Sequence, residues 1–488
     1  MVLTGAEMKA TEEAAFARGV SAEALMDQAG LGCANAIQQW FPYPGSATLY
    51  VGKGHNAGDA YVIGRHLRER GWQVSEQLAF GRDDLAPLTQ KKRQEWIAAE
   101  SRSAPPFGGP TILIDGLLGI GAKGGLRGFL LPMAEEMEER RQQGSTLFAI
   151  DLPSGLPHTP HLQADVTLTI GFPKEELLAD EVIDSVGRLV CLPLPDLRPV
   201  SGNDQEELLT ASSLRSHLPL PPFSQHKGQS GRVGIIAGSA AYPGAAILSC
   251  LGALRSGAGL LHLFYPQEGE AKIIPRLPPE VMATPFERLS EISGDGLKAL
   301  ALGPGLSSIP APDIVTMIQE ADRPMVVDAE GLNALAAEEG LASLPATFPA
   351  ARVLTPHPGE MARLQVGTEA MGRREQLQHA AQLAPPESTI LLKGSRSLIQ
   401  TPGHPLAINS TGHAGMASGG MGDVLTGCIT ALIGRGVSPH HATCLGSWLL
   451  GRAAELVRFP DRGPEGLLAS EVAEALPLAF HALRRGEF

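Results

Sequence analysis

Along the first 200 residues, short β-branched and aliphatic runs alternate with longer stretches whose apolar positions recur every three or four residues. The runs ATLYVG, WQVSEQLAF, TILIDGLLG, TLFAIDLP, DVTLTIG and RLVCLPL predict strands. Residues 7–40 read as helix broken near Gly19, with Ser21 as a new N-cap and Glu23 in the turn that follows. A second series of predicted strands, RVGIIAGS, GLLHLFYP, ALALGPGL, PMVVDAEGL, ARVLTPHPGE and STILLKGSRS, leads to three helices over 424–434, 439–457 and 469–485. Between the two series, residues 195–231 are rich in proline and polar residues and carry no sustained apolar period, so they read as the connection between domains. The alternation predicts α/β layering around mainly parallel sheets, with no fixed-period repeat.

Length supports that division, since 488 residues exceed one core and suit two domains of roughly 200 to 280 residues. A net charge of −13 without a basic cluster excludes a general nucleic-acid or anionic-membrane binder, which needs a positive face. The five cysteines are scattered and lack CxxC pairing, so core thiols are expected. No basic segment followed by an apolar run opens the chain, and the most apolar later stretch is interrupted by Arg255. The expectation is a cytoplasmic protein with a small-molecule substrate, no nucleic-acid or membrane partner, and homo-oligomeric assembly.

Chemistry collects at the predicted strand ends. GKGHNAGD follows Val51, Asp115 precedes GLLGIGAKGG, and Asp151 precedes LPSG. Parallel sheets bind ligands beyond the carboxyl ends of their strands, so the three stretches should share one crevice. GKGHNA fits the GxGxxA form of a dinucleotide loop, yet it does not open the chain. Asp59 is expected in the first turn of the next helix, where an acid suits a cation or hydroxyl better than a pyrophosphate. Asn56, Asp115 and Ser154 offer hard oxygen donors for an alkali or alkaline-earth ion; capping of turns explains Asn56 and Ser154 equally well.

The ordered motifs AEALMDQAG, GKGHNAGDAYVIGRHL, DGLLGIGAKGGLRG and AIDLPSGL resemble the NAD(P)H-hydrate epimerase domain, whose members interconvert the C6 epimers of hydrated reduced nicotinamide around a bound potassium ion. The resemblance implies a Rossmann-like three-layer sandwich over residues 1–206. It implies substrate contacts at His55, Asn56, Ala57, Gly58 and Asp59, at Gly119, Ile120, Gly121, Ala122, Lys123, Gly124 and Gly125, and at Asp151, which would also carry the catalytic proton. It implies potassium contacts at Asn56, Asp115 and Ser154. The family's loop reads GxGNNGGDG, so His55 replaces an asparagine while Ala57 and Ala60 replace glycines. Each added Cβ is expected to disfavour positive φ and to narrow a ligand's approach to the backbone.

In the second half the strand ends carry Gly303 to Gly305, Asp328, His357 and Lys393, and GGMGD precedes the apolar run from Val424. Glycine N–H groups at a helix start attract phosphate, and an adjacent carboxylate, Asp423, can orient an attacking hydroxyl. Asp423 also suits a plain N-cap. Lys393 could neutralise phosphate or cap a sheet edge, and His357 sits between Pro356 and Pro358 in a stiff turn.

HKGQSGRVGIIAGS, LGPGL, VVDAEGLNAL, LTPHPGEMARL, LLKGSRSLI and GMASGGMGDVLTG resemble the ribokinase-like fold and, within it, the ADP- or ATP-dependent NAD(P)H-hydrate dehydratases. The resemblance implies such a domain over residues 207–488, with Asp423 catalytic and the hydrated nicotinamide touching Ala245, Gly305, His357 and Asp423. The nucleotide would lie along Lys393, Gly394, Ser395, Arg396 and Ser397 and the loop His413, Ala414, Gly415, Met416, Ala417, Ser418, Gly419, Gly420, Met421 and Gly422, with Mg²⁺. Met421 stands where relatives often carry Ser or Thr. The expected whole is an α/β protein, an N-terminal Rossmann-like three-layer sandwich followed by a C-terminal ribokinase-like α/β domain. It would epimerise the (6R) and (6S) forms of hydrated NAD(P)H and dehydrate the S epimer at the expense of ADP or ATP. The rival is a kinase of a sugar or vitamin alcohol with a regulatory or scaffolding first domain, which TPHPGEMARL disfavours.

Overall fold

The structure, a computed structural model, describes residues 1–99, 108–368, 370–458 and 463–488. The chain forms two compact units, Met1–Asp204 with Glu487–Phe488, and Gln205–Gly486.

In the first unit β1 (Ser46–Val51), β2 (Gln73–Leu78), β3 (Thr111–Gly116), β4 (Thr146–Ile150), β5 (Val166–Ile170) and β6 (Arg188–Leu192) form one parallel sheet in the order 2-1-3-4-5-6. β1, β3 and β4 are buried beyond their first residue, as their continuous apolar runs require, whereas the edge strand β2 alternates. The longer helices are α1 (Gly5–Ala17), α2 (Ala22–Trp40), α3 (His55–Glu69), α4 (Pro87–Ala98) and α5 (Leu130–Gln142). Ser21 caps α2 by accepting from the Ala24 N–H, as its position predicted. The strand order reverses between β1 and β3, which places a crevice beyond their carboxyl ends.

The second unit contains β7 (Glu206–Leu208), β8 (Arg232–Ile236), β9 (Leu260–Pro266), β10 (Val281–Phe286), β11 (Ala299–Leu302), β12 (Met325–Val327), β13 (Arg352–Leu354), β14 (Ser388–Leu392), β15 (Leu398–Gln400) and β16 (Leu406–Ile408). Their order is 10-9-8-11-12-13-14-15-16-7, parallel except where β15 pairs with β14 and β16. The apolar pattern missed β7, β10, β15 and β16. Three of these span only three residues, and β10 exposes alternate positions. β7 lies inside the stretch read as a connection, so part of that stretch belongs to the second sheet. All five cysteines are buried, as expected. Among the described residues no helix is long and apolar enough to cross a membrane.

Helix Met421–Gly434 crosses helix Pro243–Arg255 through glycine backbones: a Cβ on Gly427 would fall 1.9 Å from the Ser249 carbonyl oxygen, and one on Gly252 would fall 2.2 Å from that of Val424. A second feature is a small histidine cluster. His217 stacks on His441 with ring centroids 3.6 Å apart and His404 on His440 at 3.8 Å, around a cavity of about 190 Å³ also lined by Glu207 and Cys444. Burial, then the neighbouring His404, His441 and His217, pull the His440 pKa down to about 3.

Two predictions follow from this packing. Gly427→Ala should cost roughly 1–3 kcal/mol by forcing the two helices apart, measurable by denaturant unfolding. His440 is neutral in the fold but protonates near pH 6.5 once unfolded, so its contribution to stability is complete above about 6.5 and is lost as pH falls toward about 3. The melting temperature of the wild type should therefore fall over that window, and His440→Asn should flatten the fall.

Candidate active sites

The first site is a cavity of about 560 Å³ walled by α1, α2, the start of α3, the loop after β3, and the ends of β4 and β5. Of the residues expected to touch substrate, His55, Asn56, Asp59, Gly119, Ile120, Gly121, Ala122 and Asp151 line it. Ala57 and Gly58 do not; both are buried within α3, and a Cβ on Gly58 would meet the Met26 sulfur at 2.6 Å. Lys123, Gly124 and Gly125 also lie off the cavity wall, where Gly125 is held by the approach of the Thr159 carbonyl oxygen, 2.5 Å from where a Cβ would stand.

Two expectations about the loop are corrected. α3 begins at His55 after a Gly54 N-cap, so Asp59 falls on its second turn rather than its first. Ala57 and Ala60 are helical, so the predicted positive-φ penalty does not arise; instead Ala60 packs against Gly116, where a Cβ would come within 2.8 Å.

Asp151 follows β4 with φ 67°, a left-handed conformation unusual for a non-glycine residue. One of its oxygens accepts from the Ile170 N–H at 3.1 Å and pairs with the ammonium of Lys174. Lys174 is itself buried and also donates to the Thr169 hydroxyl (3.1 Å) and the Ile170 carbonyl (2.6 Å). The chain start fastens this segment, because the Leu3 N–H donates to the Pro173 carbonyl and the Glu175 N–H to that of Leu3. Burial and the charges of Asp151, Glu12 and Asp27 push the Asp59 pKa well above the usual range; burial and Asp151 raise that of Glu12. Sequence reasoning missed Lys174 and Glu12. The signal for Lys174 was a lysine just past the strand DVTLTIG; Glu12 offered none, being one of several acids on an amphipathic helix.

Asn56, Asp115 and Ser154 do come together. The Ser154 hydroxyl donates to Asp115 at 2.6 Å and accepts the Leu118 N–H at 2.9 Å, while Asn56 donates to the Leu118 carbonyl at 2.9 Å. Asp115 otherwise accepts only from the N–H groups of Leu117 and Ser154. Burial, opposed only by these neutral donors, raises its pKa to about 6. A monovalent cation fits this oxygen set and would supply the positive charge its hydrogen bonds lack.

The second site lies beyond the carboxyl ends of β11 to β14. Asp328 follows β12, its one oxygen 2.6 Å from the Lys393 ammonium and its other accepting from Thr426 at 2.9 Å. Lys393 also stands 3.8 Å from Glu360. β14 is paired on both sides, so Lys393 is not capping a sheet edge. Despite burial, Asp328 stays below the usual carboxylate range because of Lys393, and Lys393 is raised because Asp328 and Glu360 outweigh its own burial.

Helix Met421–Gly434 starts three residues earlier than expected, after Gly420 at φ 92°, which puts Asp423 in its first turn. Burial first, then the charges of Asp328 and Glu330 against that of Lys393, raise the Asp423 pKa to about 7. A Cβ on Gly422 would lie 3.3 Å from Asp328 and 3.4 Å from Lys393, so the glycine loop abuts the ion pair. Gly305, at φ 71°, donates its N–H to Glu330 at 3.0 Å, and a Cβ there would lie 3.0 Å from that of Ala245, so these two expected contacts are neighbours. His357 is the N-cap of helix Pro358–Leu364; its Nδ1 accepts from the Gly359 and Glu360 N–H groups, which leaves Nε2 as the proton-bearing atom.

In the nucleotide segments, Arg373 donates to the Ser395 and Arg396 carbonyls, and Ser397 donates to that of Gly394. His413 caps the turn Ala414–Met416, and Ser418 donates to the Leu467 carbonyl. Met421 turns its side chain into the core, so it offers only main chain there. Glu330 and Glu360 escaped sequence reasoning, although Glu360 stands within TPHPGEMARL.

A family model described as NAD(P)H-hydrate dehydratase matches residues 233–478, and one described as YjeF-related protein N-terminus matches residues 22–176. The bifunctional NAD(P)H-hydrate repair enzyme Nnr of Moorella thermoacetica is 34% identical over 497 residues, covering 94% of this chain and 92% of the relative. That of Gloeobacter violaceus is 33% identical over 481 residues, covering 92% of each. The solved ADP/ATP-dependent NAD(P)H-hydrate dehydratase from Bacillus subtilis, co-crystallized with ATP/Mg²⁺, is 32% identical, covers 56% of this chain and 97% of its own, and has a TM-score of 0.48. With both halves matched and relatives above 30% identity over nearly their whole length, this chain belongs to the bifunctional NAD(P)H-hydrate repair enzymes.

Proposed function

We propose that the chain restores hydrated NADH and NADPH, the first unit interconverting the C6 epimers and the second removing water from the S epimer with ADP or ATP. The observation that carries this reading is Asp423, a carboxyl with a pKa near neutrality beside the Asp328–Lys393 pair at the start of a glycine-led helix. Such a group takes a hydroxyl proton at physiological pH while the free N–H groups of the helix start hold phosphate.

In the second unit Asp423 takes the proton of the 6-hydroxyl, and the terminal phosphoryl group of the nucleotide passes to that oxygen. The ring nitrogen then expels phosphate, and loss of the C5 proton restores the double bond. Lys393, held by Asp328 and Glu360, keeps the positive potential close to the transferring group. Glu330 and Glu360 are hard oxygen donors suited to Mg²⁺, which neutralises nucleotide phosphates when bound. In the first unit Asp151 carries the proton of the hydroxyl as C6 opens and closes; Asn56, Asp115 and Ser154 would hold potassium, which would supply positive charge to the loop that faces the substrate.

The decisive experiment supplies mixed epimers of hydrated NADH with ADP or ATP and follows the near-ultraviolet absorbance of the reduced ring. Complete recovery is expected; recovery that stops at the S epimer's share would remove the first unit from the proposal, and none would sink it. Asp423→Asn should lower kcat by roughly 10²–10⁴-fold. In the wild type, dehydration should speed up as pH rises through about 7, because the base is the ionised form. Epimer exchange should need K⁺, and Asp115→Asn should remove the response to K⁺ while leaving dehydration of the pure S epimer intact.

A further inference from the structure

The first site holds more acid than a single proton carrier needs. Asp59 and Asp151 both line its cavity, and they differ in every surrounding contact. Asp151 has an ammonium and an N–H on one oxygen. Asp59 has no hydrogen bond to any described residue, and it caps nothing, since α3 begins four residues before it at a Gly54 N-cap with no side-chain bond. The titratable groups that act on it are Glu12 from α1, Asp27 and Cys33 from α2, and Asp151, against the charge of Lys174, while Lys9, Lys53 and His55 line the same cavity. Burial and these carboxylates raise its affinity for a proton.

We propose that Asp59 is a second catalytic group of the epimerase site, donating a proton to the ring nitrogen while Asp151 takes the proton of the 6-hydroxyl, and that Lys174 is the positioning residue that holds Asp151 in place. This rests on the epimerase reading above and names the acid it needs.

The chemistry demands two groups. C6 of the hydrate carries a hydroxyl and the ring nitrogen N1, so it is a hemiaminal. As Asp151 accepts the hydroxyl proton, the O–H electron pair becomes the second C6–O bond. The N1–C6 bond breaks, and its pair takes the proton of Asp59. The product is a neutral amine and an aldehyde. Rotation about the C5–C6 bond turns the other face of the carbonyl to N1. N1 then attacks, its proton returns to Asp59, and Asp151 gives its proton to the oxygen. Atoms and charges are restored, C6 is inverted, and no further reagent is consumed. Without an acid, nitrogen would have to leave as an anion. One carboxyl met by an ammonium beside a second met by carboxylates is the arrangement such an exchange requires. The left-handed backbone at Asp151 marks where strain is spent to aim the base.

The test measures exchange of a single purified epimer of hydrated NADH by the full chain with K⁺ and without nucleotide. If the wild type exchanges nothing, the epimerase reading itself fails. Given wild-type exchange, Asp59→Asn should lower kcat by about 100-fold or more with KM changed less than about threefold. The wild-type pH profile should fall on its alkaline side as Asp59 ionises, and residual exchange by Asp59→Asn should lack that fall. Lys174→Met should displace both sides of the profile, because the lysine pairs with Asp151 and its charge also acts on Asp59. The melting temperature and far-ultraviolet circular dichroism of each variant, set against the wild type, serve as the folding control. Asp59→Asn retaining kcat within about threefold of the wild type would overturn the assignment, and so would a wild-type profile with no alkaline fall, which needs no variant at all.

Discussion

A lysine locked to one strand-end aspartate, with a second aspartate left beside the pair, is the interaction on which both sites depend. In the first unit the pair is Lys174–Asp151 and the remaining acid is Asp59; in the second it is Lys393–Asp328 and the remaining acid is Asp423. A carboxylate inside a protein stays charged when a cation meets it and gains affinity for protons when another carboxylate does. In the second unit Lys393 lowers the pKa of Asp328, whose charge in turn raises that of Asp423. In the first unit Lys174 fixes Asp151, whose charge raises the pKa of Asp59. Removing either lysine would disturb both acids of its site, so neither pair can be described one residue at a time.

The scaffold keeps these charges in place by close approach of main chain. Asp328 is followed by Ala329 at φ 47°, and a Cβ on Gly303 would fall 1.8 Å from the Asp328 carbonyl oxygen. Asp423 rides on a helix whose position is fixed by glycine-to-backbone contacts at Gly252 and Gly427, where no side chain could be inserted without moving it. In the first unit Asp115 is fixed instead by hydrogen bonds from the loop it faces, and Asp151 by the segment that the chain start fastens beside β5. Rigid parallel strands supply the platform and irregular residues at their ends aim the acids.

Much of this was legible in the sequence, for identifiable reasons. The central strands are buried on both faces, so their apolar runs are continuous and carry a strong local signal; short edge strands such as β7 and β15 bury little and carry a weak one. Asp115, Asp151, Asp328 and Lys393 were visible because each terminates such a run. What the sequence hid is pairing across distance. Lys174 meets Asp151 across 23 positions and Lys393 meets Asp328 across 65, and nothing local in either segment specifies its partner. The start of helix Met421–Gly434 was placed three residues late because glycine is a poor helix former; only the folded chain shows Gly420 in the left-handed conformation that lets Met421 begin the turn.

On the proposed functions, the same charge arrangement yields different chemistry in the two units because different groups surround the second acid. Asp423 has a glycine-led helix start next to it, so once it has taken a proton from a hydroxyl, the oxygen can attack a phosphoryl group held by main-chain N–H donors. Asp59 sits one turn into its helix, past those donors, and faces carboxylates and the apolar side chains of α1 and α2. There an anion is disfavoured and a neutral acid is stable, which suits proton transfer to nitrogen and excludes phosphate. The position of an aspartate relative to a helix start, first turn in one unit and second in the other, thus separates a base that works beside phosphate from an acid that works without it.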